Sequence, residues 1–256
     1  GADAGGDLSH AIGKALFERP WVPAPSSTKA NDGLGPLFNA RACVACHVGL
    51  DRATSRTDAD ARFVHPGMVA KLSNAEGRPD AVYGAQLQTA AVPGFTPEAR
   101  VRRAASGLEV GDLASGPLDP VTRTGLRAAP ALRGIGRLAE VPDTAIIAAA
   151  DPDDADGDGV SGRVNWITGT DGGRRPGRFG LKASSADLRH QVELGFALDI
   201  GMSTPDLPAP EGDCPTAACR AAPHGGDVRE TEIRGNLVAM LAGYLAAVPA
   251  PSAPTV

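Results

Sequence analysis

The chain has 256 residues, of which 42% are hydrophobic and 21% charged, with a formal net charge of −5. That length suffices for one large domain or two small ones whose core needs no covalent staples, and the lack of any basic run argues against nucleic acid or an anionic membrane surface as a partner. The 32 glycines and 22 prolines predict long irregular connections, and the longest apolar run, residues 237–248, is too short to span a bilayer.

Residues 1–7 are Gly-rich and are expected to fray. Leu8, Ile12, Leu16 and Phe17 then fall at helical spacing, with Ser9 placed to cap, so a helix is predicted over 8–18, ending before Pro20. Residues 21–36 read as a Pro/Ser/Gly loop leading into a helix over 37–48. Residues 51–61 alternate charges and belong in solvent, and 63–72 and 81–92 hold short mixed apolar stretches, strands or helical turns. Around Val101, Leu108, Val110 and Leu113 the alternation predicts a β-hairpin within 100–121. Helical spacing resumes over 130–138 and again over 142–150, with Asp143 near the start of the second helix. Residues 169–180 are dense in Gly and Arg and read as a loop, and 185–200 as an amphipathic helix presenting Leu188, Val192, Leu194, Phe196 and Leu198. The strongest helical pattern covers 231–248, where Ile233, Leu237, Met240, Leu241, Tyr244, Leu245 and Val248 recur at three and four. A Pro/Ala/Ser-rich tail or linker start follows over 249–256. No internal repeat is visible.

One segment carries an explicit chemistry: Cys43-Val44-Ala45-Cys46-His47, a CxxCH motif. Two thiols on one side of a helical turn can each add across a haem vinyl group, and the histidine that follows is carried beneath the iron as its proximal ligand. A zinc site would need a second closely spaced ligand pair, and the other cysteines, Cys214 and Cys219, are distant and differently spaced. A redox CxxC expects a βαβ setting that is not evident here. The expected cofactor is one covalent haem c on Cys43, Cys46 and His47. Thioether attachment matures outside the cytoplasm, so a periplasmic or otherwise exported protein is expected, its signal removed before this numbering begins. Cys214 and Cys219 enclose a short Pro-containing turn and can pair in that oxidising setting.

The sixth iron position decides the chemistry of such a haem. Of three methionines, Met68 is the first candidate because Pro66 and Gly67 place it in an irregular loop after the motif. Met202, in a similar loop after a helix, and His65 are alternatives, while Met240 belongs to the apolar face of the last helix. Trp21, Trp166, Phe38 and Tyr244 could line the haem crevice or simply pack, and Arg174, Arg175, Arg178 and Lys182 could pair with haem propionates or remain solvated.

A second constellation is Asp151, Asp153, Asp154, Asp156 and Asp158. From Asp154 to Gly159 the pattern matches the first half of an EF-hand loop, making Asp154, Asp156, Asp158 and the carbonyl of Val160 candidate ligands for a structural calcium ion. The match is partial, since Asn165 stands where a bidentate Glu belongs, and the alternative is a solvated acidic turn partly balanced by Arg163.

The stretches Asp32-Gly33-Leu34-Gly35-Pro36-Leu37-Phe38-Asn39-Ala40, Tyr83-Gly84-Ala85-Gln86-Leu87-Gln88, the acidic run from Asp151 to Arg163, Gly177-Arg178-Phe179-Gly180 and the Cys214/Cys219 segment together resemble the bacterial di-haem oxidoreductases. These are also described as thiol oxidoreductases and are related to the di-haem cytochrome c peroxidases. The resemblance implies a periplasmic protein whose N-terminal cytochrome c-like part carries haem on Cys43, Cys46 and His47, followed by a second half with its own CxxCH. Peroxidase chemistry in such proteins uses two cooperating haems, and this sequence has one motif, its 249–256 tail falling where the second half would start. The expectation is therefore a mainly α, cytochrome c-like haem domain over 8–248, with long loops and a few short strands inserted. In it, the motif helix and the last helix cross near the haem. The expected function is electron transfer through a single haem to a redox partner protein or second haem domain. The alternative is a peroxidase-like enzyme of which this chain is the N-terminal half, and a docking domain within a larger complex is a third reading.

Overall fold

The computed structural model describes residues 4–53, 67–104, 107–169, 172–209, 214–226 and 231–252. Two long helices organise the main core. Helix α1 (Ala4–Glu18) starts ahead of Ser9, which sits inside it rather than capping it. The first long helix packs on the last, Gly235–Ala246. The crossing depends on Gly13: a Cβ there would stand 2.2 Å from the Met240 carbonyl oxygen and 2.7 Å from Tyr244 Cβ. Leu16 and Phe17 from one helix and Val238, Leu241, Tyr244 and Leu245 from the other are buried together, and burying each such side chain contributes about 1.5–3 kcal/mol.

Between these helices the chain is not mainly helical. After short strands β1 (Val22–Pro23), β2 (Asp32–Leu34) and β3 (Leu37–Phe38), a single turn α2 (Cys43–Cys46) carries the cysteines and a 3₁₀ turn (Val48–Leu50) follows. Then come β4 (Met68–Ser73), β5 (Ala90–Ala91), the β6–β7 hairpin (Arg100–Ala104, Gly107–Gly111) and β8 (Arg123–Ala128). Short helices α3 (Arg137–Glu140) and α4 (Asp143–Ala148) precede strands β9 (Trp166–Thr168) and β10 (Arg174–Pro176). Helix α5 (Leu188–Gly195) runs into a π turn (Phe196–Ile200), and α6 (Ala217–Arg220) leads to the last helix, α7.

Among the described residues the strands form five two-stranded sheets: β1–β2, β3–β5, β4–β8, β6–β7 and β9–β10. This overturns the expected mainly α, cytochrome c-like fold. The predicted hairpin within 100–121 is present as β6–β7, but the predicted helix over 37–48 is a two-residue strand followed by one helical turn. The Gly/Arg loop over 169–180 contains β10, paired with β9. The physical reason is that short helices are not stable without a long packed face, and over 37–48, which holds neither glycine nor proline, Leu37 and Phe38 are drawn into pairing with β5 and leave one helical turn. The motif turn contacts α1, and α1 in turn packs on α7. The first helix thus occupies the place that the sequence reading gave to the last.

A second, smaller core lies under the sheet region, where Ala70, Leu72, Tyr83, Leu87, Ala99 and Val101 are buried. Two polar side chains hold its loops. The Tyr83 hydroxyl donates to Gly116 O at 2.6 Å and accepts from Ser115 N–H. Asp80 accepts from the N–H groups of Val82, Tyr83 and Asp119 and from the Thr122 hydroxyl.

Among the described residues no helix is long and apolar enough to cross a membrane. Cys214 and Cys219 form a disulfide.

Candidate haem-attachment site

Turn α2 places the two thiols one helical turn apart, with His47 N–H donating to Cys43 O at 3.0 Å. The His47 ring is fixed from outside the turn: Nδ1 lies 3.0 Å from the carbonyl oxygen of Pro130. A carbonyl oxygen can only accept, so Nδ1 carries the proton and Nε2 keeps its lone pair, the tautomer a metal ligand needs. Burial lowers the His47 pKa, against opposing contributions from Pro130 and Asp199, so the imidazole is held neutral. Phe17 packs beside it, ring centroids 6.4 Å apart, and Phe17 in turn meets Tyr244 at 5.8 Å.

The β4–β8 ladder supplies both outer contacts. Met68 pairs with Ala128, and just outside that pair Ala129 N–H donates to Gly67 O at 2.7 Å. Gly67 lies against Cys46, where a Cβ on it would come within 3.0 Å of Cys46 O and 2.8 Å of Ala53 Cβ. Pro130, one residue beyond Ala129, reaches His47. One antiparallel ladder thus sets the wall of the motif on two sides.

Both cysteines are free thiols. Burial first, then the nearby Asp199 carboxylate, pushes Cys43 up to about 12 and Cys46 up to about 11. Two protonated thiols a turn apart and a neutral imidazole whose Nε2 has no hydrogen-bond partner among the described residues are the donor set that a covalently attached haem requires. The residues present therefore fit haem c.

Met68, the first sixth-ligand candidate, opens β4 immediately after Gly67 and so begins next to Cys46. Met202 is fully buried in the main core, its Cε against Gly33. His65 lies outside the described residues. Trp21 is buried edge-on to Phe196 and Phe38 and Tyr244 belong to the same core, whereas Trp166 is 41% exposed under the Arg174 guanidinium. Arg178 is a brace: it pairs with Asp143 and donates to Val141 O and Leu138 O, tying β10 to α3 and α4.

Sequence reasoning missed the polar cluster behind the motif. Asp199 sits in the π turn, where its carbonyl accepts from Asn39 N–H at 2.8 Å and Ala40 N–H at 3.0 Å, just ahead of Cys43. Gln86 Nε2 donates to Asp199 Oδ1 at 2.8 Å and to Leu198 O at 2.9 Å. Gln88 Nε2 donates to the same Leu198 O at 2.8 Å, its Oε1 accepts from Asn39 Nδ2, and its N–H donates to the buried Glu98 carboxylate at 2.7 Å. The signal in the sequence was Tyr83 to Gln88, two glutamines among apolar residues, whose use depends on partners more than a hundred residues away.

In the acidic loop, Asp151, Asp154 and Asp156 bring carboxylate oxygens within 4.8 Å of one another. That trio differs from the expected Asp154, Asp156, Asp158 and Val160. Asp158 Oδ1 accepts from Val160 N–H at 2.8 Å, Asp154 from Gly159 N–H and Asp151 from Ala155 N–H, so the loop's own amides answer its carboxylates. Arg163 donates to Pro152 O rather than to a carboxylate.

Comparison with known families turns on a segment after the motif. Residues 102–217 match the family model described as "Di-haem oxidoreductase, putative peroxidase". The similarity is to the di-haem oxidoreductases. The segment shared with these oxidoreductases takes in the acidic loop, Arg178, α5 and the π turn with Asp199, while the CxxCH motif precedes it. Neither the curated proteins nor the solved structures give a match.

Proposed function

We propose that this chain is the part of a peroxidase-like di-haem oxidoreductase that carries a covalent haem c on Cys43, Cys46 and His47, working with a second haem centre or a redox partner protein. The observation that carries the reading is the 3.0 Å contact of His47 Nδ1 with Pro130 O, which commits one ring nitrogen and leaves the other for iron. The family match favours this enzyme reading over the single-haem electron carrier expected from the motif alone. Met68 remains the proposed sixth-position candidate, since it follows the residue packed on Cys46. An exported location agrees with the Cys214–Cys219 pairing.

When bound, the haem supplies an iron that exchanges electrons and can meet peroxide. This chain's own residues bind and shape. Cys43 and Cys46 would tether the group and His47 would ligate its iron, Phe17 packs beside the His47 ring, and buried Gln86, Gln88 and Glu98 with half-buried Asp199 place hydrogen-bonding and acidic groups behind the motif. The test is a pyridine haemochrome assay on protein produced with haem-maturation machinery, followed by the ferric visible spectrum with and without peroxide. One haem c per chain and a peroxide-sensitive spectrum support the proposal. Absence of haem c, or a Cys43–Cys46 disulfide in its place, overturns it.

A further inference from the structure

The π turn brings Asp199 behind the motif from another part of the chain, its carbonyl accepting from Asn39 and Ala40 N–H just ahead of Cys43. Such turns widen a helix and frequently mark functional positions. Here the widening at Phe196–Ile200 coincides with Leu198 and Asp199 carbonyls that take their donors from Gln86, Gln88, Asn39 and Ala40. Two glycines make the approach possible: a Cβ on Gly35 would stand 2.3 Å from Gly201 O, and one on Gly201, whose φ is +75°, would stand 2.5 Å from Leu37 O.

The Asp199 side chain is held by a neutral donor. Gln86 is fully buried, and its amide orientation is dictated by the two acceptors that Nε2 faces, Leu198 O and Asp199 Oδ1. Its Oε1 is then left buried without a donor among the described residues, so the amide is turned to serve its Nε2 acceptors at the expense of its own oxygen. A cation in place of the amide would have cancelled the carboxylate's field, whereas an amide fixes its position and leaves the field intact. Among the described residues Asp199 takes part in no ion pair.

We propose that the Gln86–Asp199 pair sets the redox potential of the haem on Cys43, Cys46 and His47, with Asp199 as a fixed negative charge and Gln86 as the residue that positions it. The inference rests on the haem reading above. A nearby negative charge stabilises the ferric iron, the more positive state, over the ferrous, and so lowers the midpoint potential. The turn that carries the carboxylate is bonded through its Asp199 carbonyl to the N–H groups of Asn39 and Ala40, four and three residues ahead of Cys43, which sets it directly behind the motif.

The experiment is spectroelectrochemical titration of wild type, Asp199→Asn, Asp199→Glu and Gln86→Leu, each first assayed for haem c. Asp199→Asn should move the midpoint upward, Asp199→Glu should stay close to wild type, and Gln86→Leu should move upward by less, because the released carboxylate can turn toward solvent. An unchanged potential in Asp199→Asn overturns the proposal, as does a shift in Asp199→Glu equal to that in Asp199→Asn. If Asp199→Asn fails to fold, Gln86→Leu decides: an unmoved midpoint there overturns it. Wild type without haem c refutes the parent reading instead, which separates the two failures.

Discussion

His47 and Pro130 are 83 residues apart in sequence, yet the imidazole Nδ1 and the proline carbonyl meet at 3.0 Å. The contact fixes a tautomer before any iron arrives, and it exists because β8 pairs with β4 and ends just short of Pro130. Outer partners of this type typically change metal affinity 10–100-fold when lost. His47→Ala should therefore abolish a six-coordinate haem spectrum and reduce haem recovered in the pyridine assay at least about tenfold. Recovery equal to wild type would place the ligand elsewhere.

The thiols of haem-free protein should be sluggish nucleophiles. With Cys43 at about 12 and Cys46 at about 11, few thiolates exist at pH 8, although thiols of higher pKa attack better once ionised. Alkylation by iodoacetamide at pH 8 should be on the order of tenfold slower than for free cysteine. It should accelerate as pH rises toward 11. Mass spectrometry under non-reducing conditions should find two modifiable thiols, with Cys214 and Cys219 protected.

Asp80 makes a pH-dependent contribution to stability. Burial alone would raise its pKa, but the Thr122 hydroxyl and the N–H groups of Tyr83, Val82 and Asp119 outweigh that and lower it. A lowered carboxyl pKa stabilises the fold above the unfolded value and loses that stabilisation as pH falls through the folded one. Asp80→Asn should cost about 2–3 kcal/mol at pH 7, read by denaturant unfolding, with the gap from wild type shrinking below about pH 4. A gap that is constant with pH would show that charge is not the cause.

Glu193 tests the packing behind the π turn. It is fully buried and accepts from the Asp206 N–H at 2.8 Å, the Thr204 hydroxyl and Arg189 Nε. Glu193→Leu leaves those donors without an acceptor. A loss of about 3 kcal/mol, or roughly 6–12 °C in Tm, is expected by calorimetry, with Glu193→Gln losing less.

The glycine contact between Gly35 and Gly201 gives the last prediction. Gly35→Ala drives a Cβ into the Gly201 backbone, and neither segment can yield without displacing Asp199 from Asn39 and Ala40. The variant should lose about 2–3 kcal/mol and show a lower haem yield. Gly157→Ala, at a glycine of positive φ in the acidic loop where a Cβ meets no neighbour, should cost no more than about 1–2 kcal/mol and leave haem yield unchanged.

The sequence by itself determined the chemistry that is local. Two cysteines and a histidine on consecutive turns, a pair of cysteines around a short loop, an alternating hairpin and a long amphipathic final helix are each read within a few residues, because spacing alone places those side chains together. It did not determine the architecture, since a helix over 37–48 and a loop over 169–180 were both reasonable from residue type, and strand pairing, of β3 with the distant β5 and of β10 with its neighbour β9, decided otherwise. Nor could it reveal that Phe17, Pro130, Gln86 and Asp199 surround the motif. Gln86 reads as one polar residue among apolar ones until its amide meets the π turn, and hydrogen bonds spanning more than a hundred residues are fixed only by tertiary packing, which brings donor and acceptor together out of water.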